Sequence, residues 1–249
     1  LDASLPTIRS LKELGSIASS LQVVEHLRGQ RRAHPELAKR TQALRHWQAQ
    51  RFAQTYADVL QEPHMGPAAR FFLSELYSAE EFSRRDAQFA RIAGTLERLF
   101  PQAVVSTATL LAQLHALSET LDACMARAWL EAEPNALHIS PAQALDEPRY
   151  KSLWQSLLNT PGYADARQQQ LDATRDLGLQ LQRHTQIPGL RLMLKMMRAP
   201  ASAAGLQDLQ RFLETGFDTF GQLGKAGKVP AFLETVRQRE TAWLARMAA

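Results

Sequence analysis

Residues 101–132 read PQAVVSTATLLAQLHALSETLDACMARAWLEA. Within them Leu110, Leu114, Leu117, Leu121, Met125 and Ala128 recur at spacings of three and four, the repeat of one helix face. Pro101 stands at the start, where a missing N–H costs nothing and a fixed φ suits the first helical turn. The same punctuation recurs outward in both directions. His34-Pro35, Gly66-Pro67, Ser140-Pro141, Glu147-Pro148, Thr160-Pro161, Ala199-Pro200 and Val229-Pro230 each precede helical periodicity. Thr160 suits an N-cap, and Ser140 with Gln143 has capping-box spacing. Leu, Ala, Gln, Glu and Arg dominate between these marks, and no stretch alternates with period two. The predicted helices are 6–28, 35–61, 67–77, 79–99, 101–132, 141–159 (broken before Pro148), 161–185, 189–198, 200–222 and 229–248. The expected fold is all-α: a single-domain multi-helix bundle of about nine to ten helices over residues 1–249. Residues 1–34 are a candidate peripheral N-terminal helical arm, and 133–148 form an internal connection.

Composition sets the outer bounds. The chain has 249 residues, 45% hydrophobic and 22% charged, an ordinary globular mixture that excludes extensive disorder. The single Cys124 excludes a disulfide framework and a thiolate metal cluster. Lys and Arg number 29 against 25 acids, a net charge of +4, and only six of the bases are Lys. Arginine favours planar, paired contacts. The densest basic run, Arg28-Gly29-Gln30-Arg31-Arg32, reads as an inter-helix turn. It has no interleaved aromatics for base stacking, which argues against nucleic acid. No apolar run reaches the ~18 residues of a membrane span. Leu1 to Pro6 lacks the basic and apolar regions of a signal, so the expected location is cytoplasmic.

The most distinctive segment runs Gly66-Pro67-Ala68-Ala69-Arg70-Phe71-Phe72-Leu73-Ser74-Glu75-Leu76-Tyr77, then Ser78-Ala79-Glu80-Glu81-Phe82. Ser78 and Glu81 have capping-box spacing, and Tyr77 and Phe82 are placed for a hydrophobic staple, so the segment marks a corner between two helices. Phe71, Phe72, Leu73 and Leu76 surround the first helix, the pattern of a buried one. The segment resembles the bacterial proteins named for an FFLEELY motif, here FFLSELY with Ser74 in fourth place. The resemblance continues through the helix after Pro101, returns at Arg211 to Asp218 and Glu234 to Glu240, and covers the chain from about residue 35. It implies a helical single domain and assigns no activity, cofactor or catalytic residue.

Asp86 is the odd residue of the next helix, sharing a face with Phe82, Phe89 and Ala93 while Arg84 and Arg91 point away. A carboxylate on an aromatic face must be paired or protonated. The structural expectation is an ion pair with Arg70 or an arginine from another helix. The functional alternative is a pocket carboxylate of raised pKa.

His115, Glu119 and Asp122 share a stripe of the 101–132 helix and are weak metal candidates. The stripe lies away from the Leu–Met face, so it is expected to face water. No His has a Glu three residues before it, so a di-iron site is not expected. Asp172 with Asp176, and Glu214 with Asp218, are carboxylate pairs expected to meet solvent or arginines. Cys124 is expected to be a buried, inert thiol. There is no G-x-S-x-G, P-loop, Rossmann glycine pattern or HExxH, so no cofactor is expected.

In Leu190 to Arg198 a basic stripe, Arg191, Lys195 and Arg198, opposes apolar Leu190, Met193, Leu194 and Met197, with Leu192 and Met196 behind. Such a helix is expected to be wedged between others with its basic edge showing. Three functions remain, in this order. The first is a non-enzymatic interaction module acting through a protein partner or as a homo-oligomer. The second is a binder of a small apolar or amphiphilic molecule in an interhelical pocket. Its candidate lining is Phe71, Phe72, Tyr77, Phe82, Asp86, Phe89, Met193, Met197 and Arg191. The third is a helical enzyme using buried carboxylates.

Overall fold

The computed structural model describes residues 5–75, 82–134 and 145–249. They form α1 (Leu11–Leu14), α2 (Ile17–Ala33), α3 (Pro35–Thr55), α4 (Ala57–Gln61), α5 (Gly66–Glu75), α6 (Ser83–Leu99), α7 (Gln102–Ala132), α8 (Glu147–Leu157), α9 (Tyr163–Thr185), α10 (Leu190–Met196), α11 (Arg198–Ala203), α12 (Gln207–Lys225) and α13 (Val229–Ala248). No strand occurs among the described residues, and ten helices have seven residues or more, with shorter ones between them. The all-α class is as the sequence indicates, with more pieces. No helix among the described residues is long and apolar enough to cross a membrane.

The extra pieces come from local chemistry. Gly15, at φ +71°, parts α1 from α2, and each half has its own serine cap. Ser10 and Glu13 form a complete capping box, and Ser16 accepts from the Ser19 N–H at 3.2 Å. The single helix expected at 6–28 is therefore two, and the second continues to Ala33 through the basic run expected to be a turn. Gly205, at φ +66°, likewise divides the helix expected at 200–222. Pro35, Pro148 and Pro230 sit in first turns as expected. Thr160 does not cap α9, because the chain turns once more and starts the helix from Gly162 at φ +80°. The capping boxes expected at Ser78–Glu81 and Ser140–Gln143 lie outside the described residues, as does most of the 133–148 connection.

The long α7 runs through the middle, against α2, α3 and α9. Leu117, Leu121, Met125 and Trp129 on it are fully buried, and burying each such side chain contributes ~1.5–3 kcal/mol. One apolar cluster gathers Phe52, Phe71, Phe72, Phe89, Phe212, Phe220 and Phe232. A second gathers Trp129, Tyr150, Trp154, Tyr163 and Trp243 around the far half of α7. α2, from the segment read as a candidate arm, packs along both α6 and α7.

The α4–α5 corner depends on Gly66. Its N–H donates to the Glu62 carbonyl at 2.8 Å, and a Cβ there would stand 2.6 Å from the Leu60 carbonyl oxygen. That oxygen is pinned by the Arg70 guanidinium at 2.8 Å, so the backbone cannot yield cheaply. Gly66→Ala is expected to cost ~1–3 kcal/mol by overpacking. An unchanged urea midpoint would contradict this close approach.

Candidate functional site

His115, Glu119 and Asp122 succeed one another on α7 at steps of four and three, so their side chains line one stripe. Arginines on α2 and α3 meet them. Arg31 Nη1 donates to Glu119 Oε2 at 2.8 Å and Arg45 Nη2 to Glu119 Oε1 at 2.5 Å. Arg45 Nε reaches Asp122 Oδ2 at 3.4 Å, and Gln48 Nε2 reaches its Oδ1 at 3.2 Å. From α6, Asp86 completes the row. Arg28 Nη2 donates to its Oδ2 at 2.5 Å, His115 Nε2 lies 2.7 Å from the same oxygen, and Arg85 Nε approaches Oδ1 at 3.4 Å. Arg85 also holds Glu75 at 3.2 Å. Farther along, Arg51 grips both oxygens of Glu240 at 2.7 and 3.0 Å, and the Tyr56 hydroxyl donates to Oε1 at 2.8 Å. Arg28, Arg31, Asp86 and Glu119 are all buried. Charges so deep are tolerated only when paired and hydrogen-bonded, and the guanidinium fork does both.

The pairing decides protonation. Burial pushes the Asp86 and Glu119 carboxyls up, but their hydrogen-bonding and charged neighbours pull harder. His115, Arg85 and Arg28 hold Asp86 well below the usual carboxylate range. Arg45 and Arg31 bring Glu119 down to about 2. Both carboxylates are therefore ionised at neutral pH, contrary to the raised-pKa alternative for Asp86. Burial pushes the Cys124 thiol up to about 11, so it is a poor nucleophile.

Beside this network lies a cavity of about 140 Å³ bordered by α2, α3, α5, α6, α7, α8, α9, α12 and α13. A dry apolar cavity of ~150 Å³ accommodates a benzene ring. This one is mixed. Arg45, Gln48, Asp86, His115, Glu119 and Asp122 form its ionic side. Tyr150, Trp154 and Trp243 form an aromatic side, with Trp47 stacked behind Tyr150 at 4.3 Å between ring centroids. Phe82, Phe89, Leu209 and Phe212 also line it, and α9 contributes Arg167, Gln170 and Thr174.

The structure divides the residues singled out from sequence. Phe82, Asp86 and Phe89 border the cavity. Phe71 and Phe72 do not: Phe71 stacks on Phe212 at 5.7 Å and Phe72 packs on Phe232 at 5.6 Å, inside the core. Tyr77 lies outside the described residues. Met193, Met197 and Arg191 are on the surface. Leu192 and Met196 are 62% and 70% exposed, and no residue of α10 is buried. The expected wedging fails because polar contacts hold this short helix to its neighbours: Arg191 to Asp218 at 2.7 Å, and Gln210 to the Leu194 carbonyl at 2.7 Å. The carboxylate pairs end as expected, with Arg198 on Glu214 and Arg175 near Asp176.

The stripe of His115, Glu119 and Asp122 does not face water. Glu119 is buried and the other two are half-buried, because α2 and α3 cover that side of α7 with arginines. Those arginines occupy the carboxylate oxygens that a metal would need. Among the described residues, no group of three or more His, Cys, Asp and Glu side chains is placed to hold a metal ion. Asp86 does pair with an arginine from another helix, Arg28; Arg70 instead caps the Leu60 carbonyl.

Sequence reasoning missed Arg28, Arg31, Arg45, Arg51, Arg167 and Glu240, along with Trp154 and Trp243. The available signal was the excess of Arg over Lys together with Arg28 and Arg31 three apart, which share one helix face.

A family model described as a domain of unknown function (DUF8198) matches residues 27–249. No curated protein and no solved structure matches the chain.

Proposed function

We propose that this chain, which belongs to the DUF8198 family, binds a small molecule in its central cavity. The observation that carries the reading is the 140 Å³ space itself, walled on one side by fixed charges and on another by aromatic rings. Protein interiors pack to crystal density, and voids larger than a water are few. A space this size could be closed by larger apolar side chains at a gain in stability. Instead its wall is set with guanidinium, carboxylate and imidazole groups, each oriented by partners behind it, the arrangement of a preformed binding site.

Binding fits this wall better than catalysis by its carboxylates. Asp86, by His115 and two arginines, and Glu119, by arginines, are held ionised, which removes them as proton donors at neutral pH and makes them weak bases. A second reading, partner binding or self-association, draws on the exposed Ile187, Leu192, Met193, Met196 and Met197.

One experiment separates the two: mass spectrometry under native and denaturing conditions on protein purified from its native host. The expected spectrum carries one extra small mass per chain that vanishes on denaturation. A ligand-free native mass at twice the chain mass would replace the cavity reading with self-association.

A further inference from the structure

We infer that the cavity takes a flat aromatic carboxylate, with the carboxylate on Arg167 and the ring against Trp154. This rests on the cavity being a binding site and adds the class of ligand. The first reason is charge balance. Each of the five carboxylates of the wall, Glu75, Asp86, Glu119, Asp122 and Glu240, has a guanidinium within 3.4 Å. The arginines that serve them are Arg28, Arg31, Arg45, Arg51 and Arg85. Arg167 is a sixth cation. Among the described residues no carboxylate lies within 4 Å of it, although it is only 7% exposed.

The partners of Arg167 are all neutral. Its Nε and Nη2 donate to the Tyr163 hydroxyl at 3.2 and 2.9 Å, and Nη1 donates to Gln170 Oε1 at 3.3 Å. Burial pushes the Tyr163 phenol above its ordinary value, so it accepts as a phenol and not as an anion. Asp122 is near enough to be felt, but its oxygens are engaged by Arg45 and Gln48. Of the four Nη hydrogens, Tyr163 and Gln170 take two, which leaves donors that an incoming carboxylate can use. A buried cation without a counter-ion is costly, and an incoming anion offsets that cost.

The second reason is independent of charge. Trp154 lines the cavity at 3% exposure, and its indole N–H has no acceptor among the described residues. The Arg167 guanidinium lies 4.7 Å from the centre of that indole. Tyr150 and Trp154 stand 6.1 Å apart, and Tyr150 and Trp243 5.9 Å, so flat faces continue from the cationic end. A single six-membered ring matches the volume. One excess charge, one spare indole donor and a ring-sized aromatic slot describe an arenecarboxylate.

The test is calorimetric titration of the full chain, freed of any co-purifying ligand, with benzoate, its neutral counterpart benzamide, and inorganic phosphate. Benzoate is expected to bind at least tenfold more tightly than benzamide or phosphate. Arg167→Met is expected to bring the benzoate-to-benzamide ratio below twofold, with its circular dichroism unchanged. If that variant fails to fold, the wild-type ratio and a roughly threefold loss of benzoate affinity in Trp154→Phe decide the matter. Benzamide binding as tightly as benzoate would overturn the anion site and leave the cavity reading standing. Phosphate binding as tightly as benzoate would overturn the ring slot. Benzoate failing to bind would overturn the inference, whereas only a ligand-free native mass spectrum touches the cavity reading.

Discussion

Asp86→Asn is expected to lower the unfolding free energy at pH 7 by ~3–5 kcal/mol, the cost of breaking a buried ion pair from one side. Asparagine preserves the shape but not the charge. Arg28 would keep its buried position, 4% exposed, with the carboxylate it donates to gone, and its Nε already lacks an acceptor among the described residues. Arg85 retains Glu75, so the loss concentrates on Arg28 and on the hydrogen bond to His115. Urea unfolding followed by circular dichroism measures the change. Stability equal to or above that of the unaltered chain would show that Asp86 does not hold the helices together and would return it to the candidates for direct chemistry.

Glu119→Gln is expected to cost a similar ~3–5 kcal/mol, because Arg31 and Arg45 both donate to this one carboxylate. Its effect also has a pH signature. The folded-state pKa is lowered from 4.5 to about 2, so the charged form is favoured by folding. The associated stability is complete above about pH 4.5 and is lost as the pH falls towards 2. It amounts to ~3 kcal/mol for this shift. Asp86 is shifted the same way and steepens the acid limb in both proteins, so the informative quantity is the difference between them. That difference is expected to be constant from pH 7 to about 5 and to shrink below pH 4.5. A gap that stays constant down to pH 2.5 would contradict the placement of Glu119 between its two arginines.

Much of the fold was legible because its determinants are local. The three-and-four spacing from Leu110 to Ala128 marks the apolar side of α7, and Pro35, Pro148 and Pro230 mark helix starts. Capping was read less fully, since Ser10 and Glu13 carry the spacing of the box that shortens the first helix. The site was legible only in fragments. Spacing alone puts His115, Glu119 and Asp122 on one stripe, but whether a stripe meets water depends on what crosses it. The answer lies 88 residues away for Arg31 and Glu119, 58 for Arg28 and Asp86, and 189 for Arg51 and Glu240. No local pattern encodes those pairings. Helix α10 shows the opposite failure. Its Met and Leu spacing matches a buried helix, yet Gly189 turns the chain before it, and the Arg191–Asp218 ion pair and the Gln210 hydrogen bond to the Leu194 carbonyl fasten it to α12 at the surface.

The most direct test of an arenecarboxylate site in the cavity uses the four tryptophans as reporters. Trp154 and Trp243 line it, whereas Trp129 is fully buried outside its wall. In a proton–nitrogen correlation spectrum each indole N–H gives its own peak. On titration with benzoate the peaks of Trp154 and Trp243 are predicted to move and that of Trp129 to stay in place. A spectrum in which the Trp154 and Trp243 peaks stay fixed, or in which Trp129 moves as far as they do, would contradict an arenecarboxylate site in this cavity.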